Sequence, residues 1–450
     1  MKYVIIGGDA AGMSAAMQVF KHDETAQITI LEQGEIYSYA QCGIPYAVSG
    51  VTSSVENLLV RSVATFRNKF GMDARINYKV EKVDTNKQIV SGRHLKTGEA
   101  FQVPYDKLLI ASGASPFVPQ WEGINLAGIH SVKTLPDTNR IIEDLEEDVA
   151  EVTIVGGGYI SLEMAESFRV LGKKVRLLIR GTQIAKIFDE DMAKLVEEEA
   201  VRQEIEILYE EEIEEIIGDG KVSEVRTNKQ THKTDLLIVA TGVRPNTAFL
   251  KETNISLAKN GAVDVNEHLE TNVPNVYAAG DCALQYNRLT GKNDYIPLGT
   301  HANKQGRIAG LNMAGMTRSF KGIVGTSILK FMDLSLGKTG LSEREAKDAE
   351  IPCMAVLIKA KDHAAYYPQA ETLWIKLTFN ENDGLLLGGQ VIGKAGVDKR
   401  TDVVAVAIFN QMTVEELEDL DLGYAPPYNS TWDPIQKAAR KAVGKLTEDQ

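Results

Sequence analysis

The sequence predicts an α/β fold of two parallel-sheet domains followed by a smaller α+β domain. A strand, glycine-rich turn, helix and strand occur in that order twice, near residues 2–32 and 152–180; each is followed by a further apolar strand ending in small residues and a Gly; and from about Gly325 the texture changes to alternating strand segments and two helices. With 450 residues, 44% hydrophobic and 25% charged, 38 Gly and 13 Pro, the chain has a globular composition that excludes collagen-like, low-complexity and disordered classes.

Residues 2–6 are a β-branched run ending in Gly7-Gly8-Asp9-Ala10-Ala11-Gly12; a helical pattern runs through Phe20, and a strand at 28–31 ends at Glu32. This is a Rossmann-like βαβ unit. Its glycines let backbone approach a pyrophosphate, the helix N-terminus receives the charge, and the acid accepts from a ribose hydroxyl. The pattern recurs as 152–155, Gly156-Gly157-Gly158-Tyr159-Ile160-Ser161, a helix to Leu171 and a strand at 175–179. One such loop can simply close a corner, but two in complete βαβ contexts predict two dinucleotide sites. Asp9 stands where the fingerprint has its second Gly, so its carboxylate must point away from a phosphate. In the second unit Ser161 replaces the third Gly, and Ile179-Arg180 ends the strand without an acid. Arg180, with Lys186, either pairs with a ribose 2'-phosphate or stands as a solvated turn arginine. The runs 108–113 and 236–242 end in Gly113 and Gly242, small enough for backbone to approach a cofactor. Residues 271–281 form a strand opening onto Gly280-Asp281, where Asp281 either serves a cofactor or caps a helix.

Lys plus Arg is 49 against 62 Asp plus Glu, and the net charge of -13 opposes attraction to nucleic acid or anionic lipid. An anionic ligand needs a local basic patch; residues 57–72 supply Arg61, Arg67 and Lys69 with no acid, and Lys21 lies on the first helix. Such a patch is otherwise a solvated helix face. Apolar runs fall below the roughly 18 residues of a membrane span, and the chain enters a strand at once, leaving no room for a signal peptide. A cytoplasmic protein is expected. Cys42, Cys282 and Cys353 form no CxxC, disulfide framework or zinc site, so no metal is expected and any redox cysteine acts singly.

Together these residues resemble the two-dinucleotide-binding flavoprotein disulfide reductases, with FAD at the first site and NAD(P)H at the second. Ser38-Tyr39-Ala40-Gln41-Cys42-Gly43-Ile44-Pro45-Tyr46 and Tyr424-Ala425-Pro426-Pro427-Tyr428 narrow the resemblance to the coenzyme A disulfide reductases. It covers the whole chain and implies a FAD-binding domain at 1–113 and 246–322, an NAD(P)H-binding domain at 114–245, and a C-terminal dimerisation domain at 323–450 in a homodimer. FAD would be held by Gly7, Gly8, Ala11, Gly12, Glu32, Gly113, Gly280, Asp281 and Ala302. NAD(P)H would be held by Gly156, Gly158, Tyr159, Ile160, Ile179, Arg180 and Gly242. Ser14, Gln18, Lys21, Ser38 and Gln41 fall on positions that contact coenzyme A, with Arg61, Arg67 and Lys69 adding charge. Where relatives carry a lysine this chain has Phe70, and Lys69 or Arg67 is expected to compensate.

The resemblance also makes Cys42 the reacting sulfur. Gly43-Ile44-Pro45 reads as a helix start, whose backbone dipoles would favour the thiolate; the other reading is a buried inert cysteine. Tyr366 and Tyr424 match tyrosines that reach into the partner subunit's site, where a phenol can donate to a departing thiolate, whereas Tyr367 and Tyr428 read as packing. No Cys occurs at 43–54 and no His after His363, so a dithiol-and-histidine mechanism is unavailable. Ala10 stands where single-cysteine oxidases and peroxidases have a His. The expected activity is therefore NAD(P)H-dependent reduction of coenzyme A disulfide, persulfide or a mixed disulfide, with NADPH used at least as well as NADH. The alternatives are an NAD(P)H oxidase working through a cysteine sulfenic acid, and a redox-sensing flavoprotein of slow turnover.

Overall fold

A computed structural model describes residues 1–145 and 148–448. Its first sheet is wholly parallel, in the order Val276–Ala278, Lys107–Ile110, Lys2–Ile6, Gln27–Leu31, Asp73–Arg75. Its central strand is buried on both faces, Tyr3, Val4, Ile5 and Ile6 all being at most 5% exposed, as a doubly covered sheet requires. The second sheet is also parallel: Ile205–Tyr209, Lys174–Ile179, Glu151–Val155, Leu236–Val239, Ile129–Ser131. The chain passes from one sheet to the other and back along an antiparallel pair, Ala114–Pro116 with Val243–Pro245. Asn246 closes this crossing, donating from Nδ2 to Ser112 O at 3.0 Å.

Helix Ala10–His22 crosses helix Gly299–Met313 at backbone contact. A Cβ on Gly306 would lie 2.2 Å from Ala11 O, and one on Gly310 2.5 Å from Ala15 O, so only glycine permits the approach. This packing sets Ala302 and Gly280 beside the first glycine loop.

The third sheet is antiparallel: Ser327–Phe331, Leu334–Gly340, Leu386–Gly393, Thr372–Asn380, Cys353–Lys361. Four helices accompany it among the described residues: Glu343–Asp348, Val397–Phe409, Val414–Glu418 and Pro434–Glu448. The sequence pattern reads as strand segments at 327–332, 373–379 and 385–392 with two helices, and leaves out Leu334–Gly340 and Cys353–Lys361. Leu334–Gly340 was hidden by Gly337 and Gly340, and Gly337 is glycine because a Cβ would stand 2.1 Å from Thr401 Oγ1 on the covering helix. The two short helices fall below the length at which periodicity shows, although Ser342/Glu345 and Thr413/Glu416 form the capping boxes that mark their starts.

The third sheet is locked to the second domain by Lys376, 5% exposed, whose Nζ lies 3.2 Å from Asp189, 3.0 Å from Asp191 and 3.1 Å from Glu343. Gln390 donates to Asp189 beside it at 2.6 Å. Among the described residues no helix is long and apolar enough to cross a membrane.

Candidate active site

The first glycine loop cannot carry side chains at its ends. Gly7 has φ +108 and a Cβ there would lie 2.1 Å from Ala111 O; one on Gly12 would lie 2.0 Å from Gly7 O. Gly8 packs against the Tyr37 ring and donates its N–H to Glu32 Oε2 at 2.9 Å, while Gly34 N donates to Oε1 at 2.6 Å. Burial pushes the Glu32 carboxyl up against these two bonds, which occupy about half of the lone-pair sites of a carboxylate. No side chain caps the helix Ala10–His22. Asp9 at its N-cap instead accepts from Tyr39 N at 3.2 Å and Gln41 Nε2 at 2.7 Å, and burial raises its pKa to about 6. Its carboxylate is thus turned toward the Cys42 segment.

The second loop repeats the pattern. Gly156 has φ +122 with a virtual Cβ 2.3 Å from Ala240 O, and helix Tyr159–Val170 also lacks a side-chain cap. A Cβ on Gly113, Gly158 or Gly242 would meet nothing within 4 Å. Both loops therefore open onto free space at the carboxyl ends of parallel strands, the geometry that receives a pyrophosphate, and the residues present fit two dinucleotides. Ser161 is wholly buried, its Oγ without a hydrogen-bond partner and 2.9 Å from the Cβ position of Gly156. Ile179 is buried with Cδ1 2.9 Å from the Cβ position of Gly157, folding over the loop, and Arg180 after it is exposed. Lys186 Nζ approaches the Cβ position of Gly181, the residue after Arg180, at 2.8 Å. Tyr159 hydrogen-bonds Ser327 on the third sheet, and Ile160 beside it is half-buried.

Cys42 sits in the 3-10 turn Gln41–Gly43, ahead of the five-residue helix Ile44–Val48 with Pro45 in its first turn. The turn is fastened at several points: Ser38 N donates to Gly8 O at 3.0 Å, Ala40 N to Leu58 O at 2.8 Å, and Ser167 Oγ of the second domain to Pro45 O at 2.7 Å. The expectation that the helix start lowers the thiol pKa is corrected here. Burial, then the Glu163 and Asp281 carboxylates, push Cys42 up, with Lys133 opposing. The residue as a whole is exposed, but its sulfur is partly desolvated by the surrounding chain. Glu163, on helix Tyr159–Val170, has its own pKa raised to about 7 by burial and Glu166.

Asp281 does not cap a helix. It lies in a turn closed by Ala283 N to Gly280 O at 2.9 Å, and its carboxylate meets Lys133 Nζ at 3.4 Å. Glu163 and Lys133 were not singled out from the sequence. Glu163 did leave a signal, a lone acid within the apolar 162–165 stretch; Lys133 left none.

The basic patch is only partly assembled. Arg67 Nε donates to Ala74 O at 2.7 Å, bracing its helix against the strand Asp73–Arg75, while the residue itself stays exposed. Arg61 and Lys69 flank the Phe70 ring at 5.9 and 5.7 Å, and Phe20 meets that ring edge-on at 5.3 Å, placing Lys21 nearby. Ser14 Oγ donates to Asn303 Oδ1 at 2.9 Å, and Gln18 lies one turn on from it. Tyr366 and Tyr424 are exposed and their hydroxyls lie 3.2 Å apart, bonded to each other rather than to the Cys42 turn of the same chain. Fully buried Arg400 holds both tyrosine loops, donating to Asp362 O at 2.6 Å, Asn429 Oδ1 at 3.3 Å and Asp433 Oδ1 at 3.1 Å.

Comparison with known proteins agrees with this geometry. The pyridine nucleotide-disulphide oxidoreductase family matches residues 1–306, and its dimerisation domain matches 326–434. A Pyrococcus abyssi protein named NAD(P)H sulfur oxidoreductase (CoA-dependent) is 38% identical over 97% of each chain. A coenzyme A disulfide reductase of Staphylococcus aureus is 32% identical over 98% of this chain and 99% of the relative. Other relatives, at 33% and 30% identity, carry the name NADH oxidase. The crystal structure of reduced Bacillus anthracis CoADR-RHD superposes with a TM-score of 0.96 at 35% identity, covering 99% of this chain and 81% of that one. The chain belongs to the pyridine nucleotide-disulphide oxidoreductase family.

Proposed function

We propose that the protein is an NAD(P)H-dependent flavoprotein that reduces coenzyme A disulfide, or a related coenzyme A persulfide or mixed disulfide, through Cys42. One observation carries the reading: the Cys42 turn lies between the two glycine-loop domains, fastened to Gly8 of the first and Ser167 of the second, with the Glu163 and Asp281 carboxylates close enough to act on the thiol. Residues 1–113 with 246–322 hold FAD, 114–245 hold NAD(P)H, and 323–450 pair two chains into a homodimer. Gly7, Gly8, Ala11, Gly12, Glu32, Gly113, Gly280, Asp281 and Ala302 line the first site. When bound, FAD supplies a two-electron carrier between a nicotinamide and a sulfur.

The Cys42 thiolate attacks one sulfur of the disulfide, leaving a Cys42 mixed disulfide and one coenzyme A thiolate. An electron pair from NAD(P)H then cleaves the mixed disulfide, returning the Cys42 thiolate and releasing the second coenzyme A. Each departing thiolate needs a donor, and no histidine base follows His363. Tyr366 and Tyr424 provide phenolic O–H groups for the site of the other subunit. Three free cysteines and the absence of a membrane-crossing helix among the described residues are compatible with a reducing cytoplasm.

The reading is tested on Cys42→Ser, in which flavin content and its reduction by NAD(P)H persist while coenzyme A disulfide turnover is lost. Undiminished turnover by that variant would refute it. Ala10 argues against the oxidase alternative, since it offers no proton where oxidases and peroxidases carry a His; oxygen uptake that matches disulfide-dependent turnover would reverse that choice.

A further inference from the structure

An aspartate at a helix N-cap ordinarily accepts from the second or third helical N–H and satisfies a free donor. Asp9 holds that position on the helix Ala10–His22 and makes no such bond. Both of its oxygens reach across to the segment that carries Cys42, one accepting from Tyr39 N at 3.2 Å and the other from Gln41 Nε2 at 2.7 Å. The segment needs outside ties, because it begins at Ser38 with φ +49, a left-handed conformation that a non-glycine residue adopts only under strain. Ser38 N to Gly8 O at 3.0 Å is a third tie from the same loop.

We infer that Asp9 is a positioning residue for the Cys42 turn: its carboxylate leaves the helix amides free for a pyrophosphate and fixes Tyr39 and Gln41, and through them the sulfur, for attack on a disulfide. The inference rests on the reading of Cys42 as the reacting sulfur. Besides Tyr39 and Gln41, the groups facing Asp9 are Glu32 at the end of strand Gln27–Leu31 and Lys133 ahead of helix Leu135–Leu145. Below pH 6 the carboxyl becomes protonated, so one oxygen presents an O–H to groups that are themselves donors and one tie is lost; above pH 6 both ties are restored.

The test uses the flavin-loaded enzyme and Asp9→Gly, which restores the usual residue of the fingerprint and removes both ties without adding bulk. Flavin content and the rate of flavin reduction by NADPH should match wild type. The disulfide half-reaction should slow at least about tenfold, the rate cost of losing even one of the two charge-assisted hydrogen bonds, and should lose the fall below pH 6 that wild type shows. Asp9→Asn, which keeps one acceptor oxygen, should fall between the two and also lack the pH step. Iodoacetamide labelling of Cys42, read by mass spectrometry, follows the turn without any substrate: at pH 8 it should be about tenfold faster in Asp9→Gly, where the untied turn gives the sulfur up to the reagent, than in wild type, the gap narrowing at pH 5 as wild type loses one of its two ties. If coenzyme A disulfide is not the substrate, the labelling difference still appears while neither protein reduces it. Labelling and half-reaction rates equal to wild type would overturn the inference, as would loss of flavin in Asp9→Gly, which would make Asp9 a cofactor residue.

Discussion

We predict that nucleotide preference turns on Arg180. The side chain is exposed at the end of strand Lys174–Ile179, after an Ile179 that is buried over Gly157, so the strand end carries no carboxylate to repel a ribose 2'-phosphate. Truncation to alanine removes only a solvated guanidinium and should leave stability within about 0.5 kcal/mol. A charge-assisted hydrogen bond to phosphate contributes about 1.5 to 3 kcal/mol, and exposure places Arg180 at the low end of that range. Arg180→Ala should therefore lower kcat/KM for NADPH about tenfold, while kcat/KM for NADH stays within about twofold. The assay is initial rates with each nucleotide at saturating coenzyme A disulfide, repeated at higher salt, where the NADPH advantage should shrink. A ratio of specificity constants unchanged in both Arg180→Ala and Ile179→Glu would refute the placement of this strand end against the ribose.

Two further predictions concern groups that the fold leaves uncomfortable. Ser161→Ala removes a buried hydroxyl without a partner and should raise stability by about 1 kcal/mol, read by chemical denaturation; a loss of stability would mean that the Oγ is satisfied in solution. Glu163→Gln should lower the pH at which Cys42 becomes alkylable, since it removes the charge that most raises the thiol. Glu163 holds its proton to about pH 7 in the folded protein, above the ordinary carboxyl value of 4.5, so it takes stability away as pH rises through that window. Glu163→Gln should accordingly be more stable than wild type at pH 8 and no different at pH 4; a reversed order would show that the carboxylate is paired.

The two glycine loops were readable because each has a strict reason visible in the chain: Gly7, Gly12 and Gly156 touch carbonyl oxygens where no Cβ fits. Strands buried on both faces read as continuous apolar runs, so their ends were placed within a residue or two. The surroundings of Cys42 were less readable. Lys133 and Glu163 come from distant segments, and only the tertiary fold brings their charges to the sulfur. That Arg67 also braces its helix, one guanidinium N–H donating to the Ala74 carbonyl, is a contact composition cannot show. The thiol pKa ran opposite to the sequence argument because a short turn supplies little dipole and its walls supply much desolvation.

The order in which the first sheet is assembled has a consequence for synthesis on the ribosome. Strand Val276–Ala278 pairs with Lys107–Ile110, and helix Gly299–Met313 covers Ala11 and Ala15, so the first sheet waits for a neighbour made some 165 residues after its fourth strand in chain order. The second sheet is contiguous in sequence from Ile129–Ser131 to Leu236–Val239 and has no such delay. The inserted sheet can therefore close while the surrounding one still shows an apolar edge at Leu108 and Leu109 and an uncovered alanine face. A nascent chain stalled between residues 240 and 276 should be the species that chaperones hold, and a cell short of them should accumulate fragments cut in the first 110 residues rather than in the second sheet.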